Sequence, residues 1–460
     1  LKSEKEMNEH LENLVQERTM ELSITNKYLE EISNIDPLTG LSNRKHLLSY
    51  LKSLFSSDQT PPFALLYIDT NRFKHINDSC GHEIGDGVLS TLGMRFSELT
   101  STDCLTFRIG NDEFAVILHN FKDKNEISTF AEKILEQIQI PILISPYSFT
   151  LSASIGIALY PTDAKKKDIL MRYADIAMNQ IKASNHKNDY LFFDKAFTEK
   201  INKRQELEFL LQNANYDKEF QLYFQPQYHT EKQTLVGMEA LIRWIHPEKG
   251  LIPPSDFIPI AEENGLIVEI GEWVINHAFT QIKKWNETLN QNFRMSINIS
   301  PIQIKNTAFL ERFTTKLESY QVKPEWIDLE ITESVAMISN ATIENIFHSF
   351  NNIGVNISID DFGTGYSCLS YIRKYEIDRL KIAKELIDNI DHDENALLIV
   401  QAIIMMAKGL QLKTLSEGVE EPSQLAILNA LGCDEIQGYI FGKPVPSNEF
   451  EKLHFQGKDF

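Results

Sequence analysis

From about residue 203 to the end of the chain, strand-like runs alternate with helical runs. This alternation predicts a parallel barrel or a doubly wound sheet, because a helix must carry the chain back before the next strand can run in the same direction. Polar residues recur where these strands are predicted to end: Glu239, Asn298, Glu330, Asp360, Asp361, Lys381, Glu417 and Gln437. The C-terminal strand ends of a barrel form one rim, so these side chains would converge there.

The strand end at Asp360 and Asp361 carries the clearest chemical signal. An alternating strand pattern at residues 355–359 precedes the two carboxylates, and Gly363 and Gly365 after them allow a tight turn. Adjacent carboxylates repel each other, and a hard divalent cation turns this repulsion into attraction. A solvated acidic turn is the alternative for an isolated Asp-Asp pair, but the other acidic strand ends favour a metal site.

Composition narrows the function classes. The net charge of -20 and the lack of a long Lys/Arg run argue against binding to nucleic acid polymers. The longest apolar run, residues 396–407, contains Gln401 and is too short to span a bilayer, so we expect a buried helix. The four cysteines lack zinc or redox spacing, which indicates a reducing, cytoplasmic setting; they are Cys80, Cys104, Cys368 and Cys433. Because the chain begins at Leu1, we expect a fragment whose sensor or membrane region lies upstream.

Residues 1 to about 34 are charged and contain neither Pro nor Gly. Positions at alternating spacings of 4 and 3 form an imperfect heptad pattern: Leu11, Val15, Arg18, Leu22, Thr25, Leu29 and Ile32. Two interpretations stay open: an amphipathic helix packed on its own domain, or a parallel dimeric coiled-coil helix that carries an upstream signal. We divide the chain into this helix (1–34), a first domain (35–194), a linker (195–202) and a second domain (203–456).

The first domain contains a buried strand at residues 63–68 that ends in Asp69. Strands at 106–109 and 114–118 flank Gly110 and Asn111, which predicts a hairpin with two acids directly after its turn. These features resemble the GGDEF domain of the diguanylate cyclase family, whose motif reads Gly110-Asn111-Asp112-Glu113-Phe114 in this chain.

This resemblance covers residues 35–194 and implies a ferredoxin-like α/β fold similar to nucleotide cyclases. It also implies binding of GTP with Mg²⁺, and two monomers that face each other to form cyclic di-GMP. The implied metal residues are Asp69, Thr70 and Asp112, because carboxylates are needed to hold the ions on a triphosphate. The implied GTP-binding residues are Asn77, Asp86 and Lys182.

Departures from the family pattern point to impaired cyclisation. Asn111 stands where the family has a second Gly, although Asn tolerates a left-handed turn conformation. Residues 185–188 match the family's Gly-Arg-Asn only loosely, and Ser101 and Cys104 replace the product-inhibition pair. We hypothesise that this domain binds GTP but cyclises it poorly.

The second domain resembles the EAL domain of cyclic di-GMP phosphodiesterases over residues 203–456, which implies a TIM-like (β/α)8 barrel. Several ordered motifs carry the resemblance: Gln225-Pro226-Gln227, Glu239-Ala240-Leu241, Arg243-Trp244, Asn298-Ile299-Ser300, Leu329-Glu330-Ile331-Thr332-Glu333, Asp360-Asp361-Phe362-Gly363, Glu417-Gly418-Val419-Glu420 and Gln437-Gly438-Tyr439.

The resemblance implies two Mg²⁺ or Mn²⁺ ions held by Glu239, Asn298, Glu330, Asp360, Asp361 and Glu417. A water between the ions would attack one phosphodiester and release linear pGpG, with Lys381 beside that water. Gln225, Arg243 and Gln437 match substrate-contacting positions. Glu333 and the loop after Asp361 match an element coupled to dimerisation, and we expect a homodimer through the N-terminal helix and the EAL domain.

One position departs from the EAL pattern at the site itself. The family has Lys-Ile-Asp where this chain has Lys381-Ile382-Ala383, and Ser416 replaces the usual Ala before Glu417. Three interpretations stay open: an EAL phosphodiesterase with a GTP-binding GGDEF domain, an impaired cyclic di-GMP receptor that acts through a partner, and a bifunctional cyclase and phosphodiesterase. The retained ligands favour the phosphodiesterase.

Overall fold

The structure, a computed structural model, describes residues 18–20, 33–56, 60–183, 188–306, 308–333, 341–364 and 375–455. The predicted heptad lies outside these residues except for Arg18, which belongs to a helical stretch at 18–20. Residues 185–187, Gly365 and Cys368 also lie outside them. The chain forms two compact units, Leu1–Asn202 and Lys203–Phe460. The segment 195–202, predicted as a linker, is helical and begins the helix Lys195–Gln212.

The first unit is built on a six-stranded sheet. In spatial order the strands are Ser42–Asn43, Cys104–Arg108, Glu113–His119, Phe63–Asn71, Ser152–Tyr160 and Asp189–Phe192. The four middle strands pair antiparallel, in the order of a ferredoxin-like sheet. The helices are Arg44–Phe55, Phe73–Cys80, His82–Leu99, Lys124–Gln139 and Lys167–Ala183, and a separate hairpin pairs Ile142–Ile144 with Tyr147–Phe149.

The strand Phe63–Asn71 shows why this sheet is covered on both faces. Successive side chains of a strand point to opposite faces, and here both sets are apolar. One hydrophobic core receives Ala64, Leu66 and Ile68, and a second core receives Phe63, Leu65 and Tyr67. The strand is therefore buried on both faces and holds Asp69 rigidly near its end.

The second unit is a closed barrel of eight strands. In order around the ring they are Phe220–His229, Leu235–His246, Arg294–Asn298, Ile327–Thr332, Asn356–Phe362, Arg379–Ile382, Lys413–Ser416 and Glu435–Gln437. Phe220–His229 pairs with both Leu235–His246 and Glu435–Gln437, which closes the ring. It runs antiparallel to both neighbours, and the remaining pairs are parallel. The predicted barrel is confirmed, with one reversed strand.

Helices surround this barrel. They are Tyr216–Glu219, Pro254–Asn264, Ile267–Leu289, Pro301–Lys305, Phe309–Tyr320, Ala341–Ile353, Lys384–Ile387, Glu394–Gly409, Pro422–Leu431 and Ser447–His454, with a 3₁₀ turn at Pro324–Trp326 and short strands at Gly250–Ile252 and Val445–Pro446. The apolar run 396–407 lies in the helix Glu394–Gly409. This helix buries Val400 and Ile404 on one face and exposes Leu398 and Met405 on the other. The prediction of a buried helix was therefore wrong for the exposed face. No helix in the described part of the chain is both long and apolar enough to cross a membrane.

Side-chain alternation gives the barrel an apolar outside and a polar inside. In Ile327–Thr332, the apolar residues pack into the core against the helices, while Asp328 and Glu330 are buried in the interior. Neighbouring strands follow the same rule, so the interior holds two polar layers. The layer at the C-terminal rim contains Glu330 and Lys381, and the layer below it contains Asp328 and Arg379.

Candidate active site

The strand ends of the barrel bring the predicted acidic residues to one rim. Asn298 and Gln437 are the last residues of their strands, and Glu417 directly follows Lys413–Ser416. Glu239 differs, because it lies in the middle of Leu235–His246, so the predicted strand end at Glu239 was wrong. The reason is antiparallel pairing with the strand Phe220–His229, which carries Leu235–His246 onward past the rim.

The Lys381 ammonium is the centre of the site. Its Nζ lies 2.7 Å from Glu330 Oε2, 2.7 Å from Glu417 Oε1, 2.9 Å from Asp360 Oδ1 and 3.9 Å from Glu239 Oε2. The side chain is 1% exposed. Burial alone lowers the pKa of a lysine, but the surrounding carboxylates, Asp360 foremost, outweigh it and raise the pKa of Lys381 well above its ordinary value. Lys381 is therefore charged at neutral pH.

One ammonium does not balance the carboxylates around it. Burial, followed by the charge of Glu239, raises the pKa of Glu330 well above its ordinary value. Burial likewise raises the pKa of Glu417 to about 8. Glu330 Oε1 is buried and has no hydrogen-bond partner among the described residues. Burial and the neighbouring negative charges together favour the protonated forms of these two carboxylates when no further cation is bound.

Three carboxylates at one side of the site fit a divalent cation. Oxygens of Asp360, Asp361 and Glu417 lie within 4.8 Å of one another. An all-oxygen donor set of this kind suits Mg²⁺ or Mn²⁺. Asp361 has φ 54°, a left-handed conformation that costs a non-glycine residue of order 1–3 kcal/mol. After it, the Gly363 N–H donates to Glu333 Oε2 at 3.2 Å, which fixes the turn.

Amide side chains hold the fourth carboxylate around Lys381, that of Glu239. Asn298 Nδ2 donates to Glu239 Oε1 at 2.6 Å, and Gln437 Nε2 donates to Glu239 Oε2. The same Gln437 nitrogen donates to Gln225 Oε1 at 3.2 Å. The predicted ligands Glu239 and Asn298 are thus adjacent to two predicted substrate-contacting glutamines.

Two cavities border the acidic cluster. One of about 270 Å³ has Arg243 and Asn298 in its wall, together with apolar side chains of the neighbouring helices. The other, about 260 Å³, is lined by residues of the cluster and by Lys384 and Tyr439. The guanidinium of Arg243 lies over the ring of Tyr223 at 5.4 Å.

Ala383 stands at the position where the EAL pattern has an aspartate. It is fully buried, and its N–H donates at 3.4 Å to the carbonyl of Phe362, the residue after Asp361. On the other side, the Glu417 N–H donates to the Ile382 carbonyl at 3.0 Å. Position 383 therefore lies between the strand end at Asp361 and Glu417.

Ser416, the second departure from the EAL pattern, has a partner in the barrel wall. Its Oγ lies 3.3 Å from Cys433 Sγ, and both residues are buried. The hydroxyl is therefore satisfied away from the acidic cluster, and the change from the usual Ala leaves the cluster itself intact.

The first unit brings part of its predicted nucleotide site together. Lys182 Nζ lies 2.6 Å from Asp69 Oδ2, and Thr70 Oγ1 donates to Asp112 Oδ2 at 3.1 Å. Burial, and then the charge of Asp69, raises the pKa of Asp112. A lysine and two carboxylates are thus adjacent at the end of the strand Phe63–Asn71.

The other two implied GTP-binding residues, Asn77 and Asp86, lie on the helices that follow this strand. Asn77 is on Phe73–Cys80, and Asp86 is exposed on His82–Leu99. The side-chain oxygen of Asn77 is buried without a hydrogen-bond partner among the described residues, and it packs against Gly85 of His82–Leu99.

Arg108 supports the turn at Gly110 and Asn111, and the sequence did not point to this residue. Its Nε donates to the Gly110 carbonyl at 3.0 Å and its Nη2 to the Asn111 carbonyl at 2.9 Å, while Nη1 pairs with Asp36 Oδ1 at 2.8 Å. Neither Gly110 nor Asn111 has positive φ. The turn therefore does not need the left-handed conformation for which Asn was considered suitable.

Comparison with known proteins assigns both units. The family described as "EAL domain" matches residues 210–444, and the family described as "Diguanylate cyclase, GGDEF domain" matches residues 33–188. The chain belongs to the EAL domain family, with a GGDEF domain before the EAL domain. Both family resemblances found in the motifs are confirmed.

Relatives of this GGDEF–EAL chain include the signaling protein YkoW of Bacillus subtilis, 36% identical over 430 residues, which are 93% of this chain and 54% of YkoW. The bifunctional diguanylate cyclase/cyclic di-GMP phosphodiesterase MucR of Pseudomonas aeruginosa is 35% identical over 93% of this chain and 62% of MucR. The chain thus spans little more than half the length of these relatives. A solved structure described as the PaMucR phosphodiesterase in complex with c-di-GMP has 36% identity and a TM-score of 0.52, and covers 53% of this chain and 99% of its own.

We expect metal-free protein to lose EAL-domain stability as pH rises from about 4.5 to about 8. The pKa of Glu417 is raised from 4.5 to about 8, so the folded state retains a proton that the unfolded state releases in this window. This stability is fully present below pH 4.5 and is lost as pH passes through the folded pKa. Tryptophan fluorescence during thermal unfolding reports on this domain alone, because it contains all four tryptophans: Trp244, Trp273, Trp285 and Trp326.

The Glu417→Gln variant is the control, because it removes the titrating group and keeps the shape of the side chain. Its melting temperature should change less with pH than that of the wild type. An equal pH dependence in both proteins would contradict the assignment.

Proposed function

We propose that the EAL domain hydrolyses cyclic di-GMP to linear pGpG with two Mg²⁺ or Mn²⁺ ions, and that the GGDEF domain binds GTP and regulates it. The observation that carries this proposal is the convergence of Glu239, Glu330, Asp360 and Glu417 around Lys381 at one barrel rim. Support also comes from the relative MucR, whose name includes cyclic di-GMP phosphodiesterase, and from its solved complex with c-di-GMP.

The chemistry of the donor set suits two hard divalent ions, and the oxygens of Asp360, Asp361 and Glu417 lie within 4.8 Å of one another. Glu239, Asn298, Glu330 and Asp360 would hold one ion, and Asp360, Asp361 and Glu417 would hold the other. When bound, such ions acidify water and stabilise charge on a phosphoryl oxygen. Lys381 keeps its proton in this environment, so it can donate a hydrogen bond to the attacking water and offset charge beside it.

The remaining side chains orient the substrate. The guanidinium of Arg243 is half-buried at the edge of one cavity, where its fork geometry suits two oxygens of one phosphate. Gln225 and Gln437 line the other cavity beside Glu239, where their amides can contact the ligand. Cyclic di-GMP has two guanosine halves joined through phosphates, which matches two cavities separated by the acidic cluster.

Ala383 favours a second candidate function, a cyclic di-GMP receptor. An ion held by Asp360, Asp361 and Glu417 would have no further carboxylate at position 383, which would weaken its binding. A receptor needs ligand binding without turnover and acts through a partner. The two functions are separated by whether pGpG appears.

We expect pGpG to form slowly in the wild type, and faster after Ala383→Asp. A carboxylate at position 383 would lie between Asp361 and Glu417, and the loss of such a supporting group costs about 10–100-fold in metal affinity or activity. Chromatography of cyclic di-GMP incubated with protein and Mg²⁺ or Mn²⁺ measures this. Ala383→Asn is the matched control, with nearly the same size as Asp and no charge, and should stay near the wild-type rate. If neither the wild type nor Ala383→Asp forms pGpG, the receptor function stands in place of the enzyme.

We expect GTP with Mg²⁺ to lower the cyclic di-GMP concentration needed for half-maximal hydrolysis. The reason is that a nucleotide domain that binds GTP but cyclises it poorly is suited to sensing GTP. Hydrolysis rates across a cyclic di-GMP titration, with and without millimolar GTP, measure the effect. Asp112→Asn should remove it, because that change takes a carboxylate from the GTP site. Identical curves with and without GTP would exclude regulation of this kind.

We expect the GGDEF domain to convert radiolabelled GTP to cyclic di-GMP poorly, and Asn111→Gly to raise the rate. The Asn111 side chain stands next to Asp112, where the family has only backbone. Asp69→Asn in the Asn111→Gly background should abolish the gain, since it removes a metal-holding group. Rapid synthesis by the wild type would instead support the bifunctional interpretation.

A further inference from the structure

A buried amide, Gln227, lies beneath the proposed cation site and connects the two polar layers of the barrel. Its side chain is fully buried. Its Nε2 donates to Gln437 Oε1 at 3.0 Å in the rim layer and to Ser296 Oγ at 3.2 Å in the layer below. One nitrogen therefore supplies both hydrogen bonds.

The directions of these bonds follow from the carboxylates at the two ends. In the rim layer, Gln437 Nε2 donates to Glu239 Oε2, and a carboxylate can only accept, so the oxygen of Gln437 must face the other way. In the lower layer, Ser296 Oγ donates its proton to Asp328 Oδ2 at 3.3 Å, so its lone pairs must accept from elsewhere. The oxygens of Gln437 and Ser296 therefore each accept a hydrogen bond, and Gln227 Nε2 donates one N–H to each of them.

An amide nitrogen suits this position because it carries two N–H groups on one atom. A hydroxyl has one proton to donate, and a carboxylate has none. The oxygen of Gln227 has no partner among the described residues, and a Cβ added at Gly237 would lie only 3.2 Å from it. The glycine on the neighbouring strand thus leaves room for the amide to keep its nitrogen toward Gln437 and Ser296.

We propose that Gln227 is a positioning residue that fixes the amide of Gln437, and through it the carboxylate of Glu239, in the orientation that receives a divalent cation. With Gln437 held by Gln227, its N–H engages Glu239 Oε2, and the amide cannot turn its oxygen toward that carboxylate. This inference rests on the proposed function, because it assumes that Glu239 holds the ion.

The test compares two substitutions in the same buried network. Gln227→Met keeps the length of the side chain and removes both donors, whereas Ser296→Ala removes only the lower branch and leaves the bond from Gln227 to Gln437. Mn²⁺ affinity of the full chain, without cyclic di-GMP, is measured from the free Mn²⁺ signal in electron paramagnetic resonance. We expect Gln227→Met to bind Mn²⁺ about tenfold more weakly, the lower end of the range for outer partners of metal ligands. Ser296→Ala should bind it as the wild type does.

Both substitutions remove buried hydrogen bonds, so both should lower the melting temperature. If Gln227 were only structural, the two variants would also have similar Mn²⁺ affinities. Only the positioning role predicts that their Mn²⁺ affinities differ. Equal Mn²⁺ affinity in Gln227→Met and the wild type would overturn the proposal, and so would equal weakening by Ser296→Ala.

A second readout does not depend on the ion. In protein labelled with ¹⁵N-glutamine, the side-chain amide protons of Gln437, assigned by their loss in Gln437→Glu, should be protected from exchange in the wild type and in Ser296→Ala but not in Gln227→Met. If the wild type binds no Mn²⁺, the proposed function fails at its cation site, while these protons still decide whether Gln227 positions Gln437. Equal protection in all three proteins would refute the positioning role.

Discussion

The burial of the Lys381 ammonium is the constraint on which the EAL domain depends. A charge removed from water is tolerated only when opposite charges and hydrogen bonds surround it, and breaking such a buried pair costs about 3–5 kcal/mol. The partners of Lys381 come from three other strands and from the residue after a fourth: Glu239, Glu330, Asp360 and Glu417. Lys381 is therefore stably buried only when these strands are assembled into the barrel.

The two polar layers of the barrel differ in charge balance. The lower layer is balanced and supports the structure, whereas the rim layer, which carries the candidate site, has an excess of carboxylates. In the lower layer, Arg379 pairs with Asp328 and with Glu435, and Arg294 Nη2 lies 2.6 Å from Glu435 Oε2. Two cations meet two anions there. Although burial acts to raise it, Arg379 keeps the pKa of Asp328 below its ordinary value. The rim layer has carboxylates in excess of its single ammonium, so it is the layer that gains stability from added cations.

The alternation of strands and helices predicted a parallel barrel or a doubly wound sheet, and the resemblance to the EAL domain implied the barrel. The polar strand ends then predicted most of its rim, for a clear physical reason. Parallel strands end at the same edge, so residues such as Asn298, Glu330 and Asp360 could be grouped by their position along the strands. Glu239 lies at the rim but does not end its strand as predicted, because that strand is antiparallel to one neighbour and continues past the site. Gln227 was named only as part of a motif, and Arg379 was not singled out. Their buried partners, Gln437 and Asp328, lie far away along the chain, and no local pattern reveals such pairs.

The left-handed backbone at Asp361 places a conformational cost at a residue of the acidic cluster. Glycine takes such a conformation without the steric cost of a Cβ, so replacing Asp361 by glycine would relieve the strain but remove one carboxylate from the cluster. A chain that keeps an aspartate there accepts local strain in return for one more oxygen. Local backbone strain and the number of carboxylate oxygens in the acidic cluster are therefore coupled at this one residue, so a substitution that relieves the strain also removes an oxygen donor.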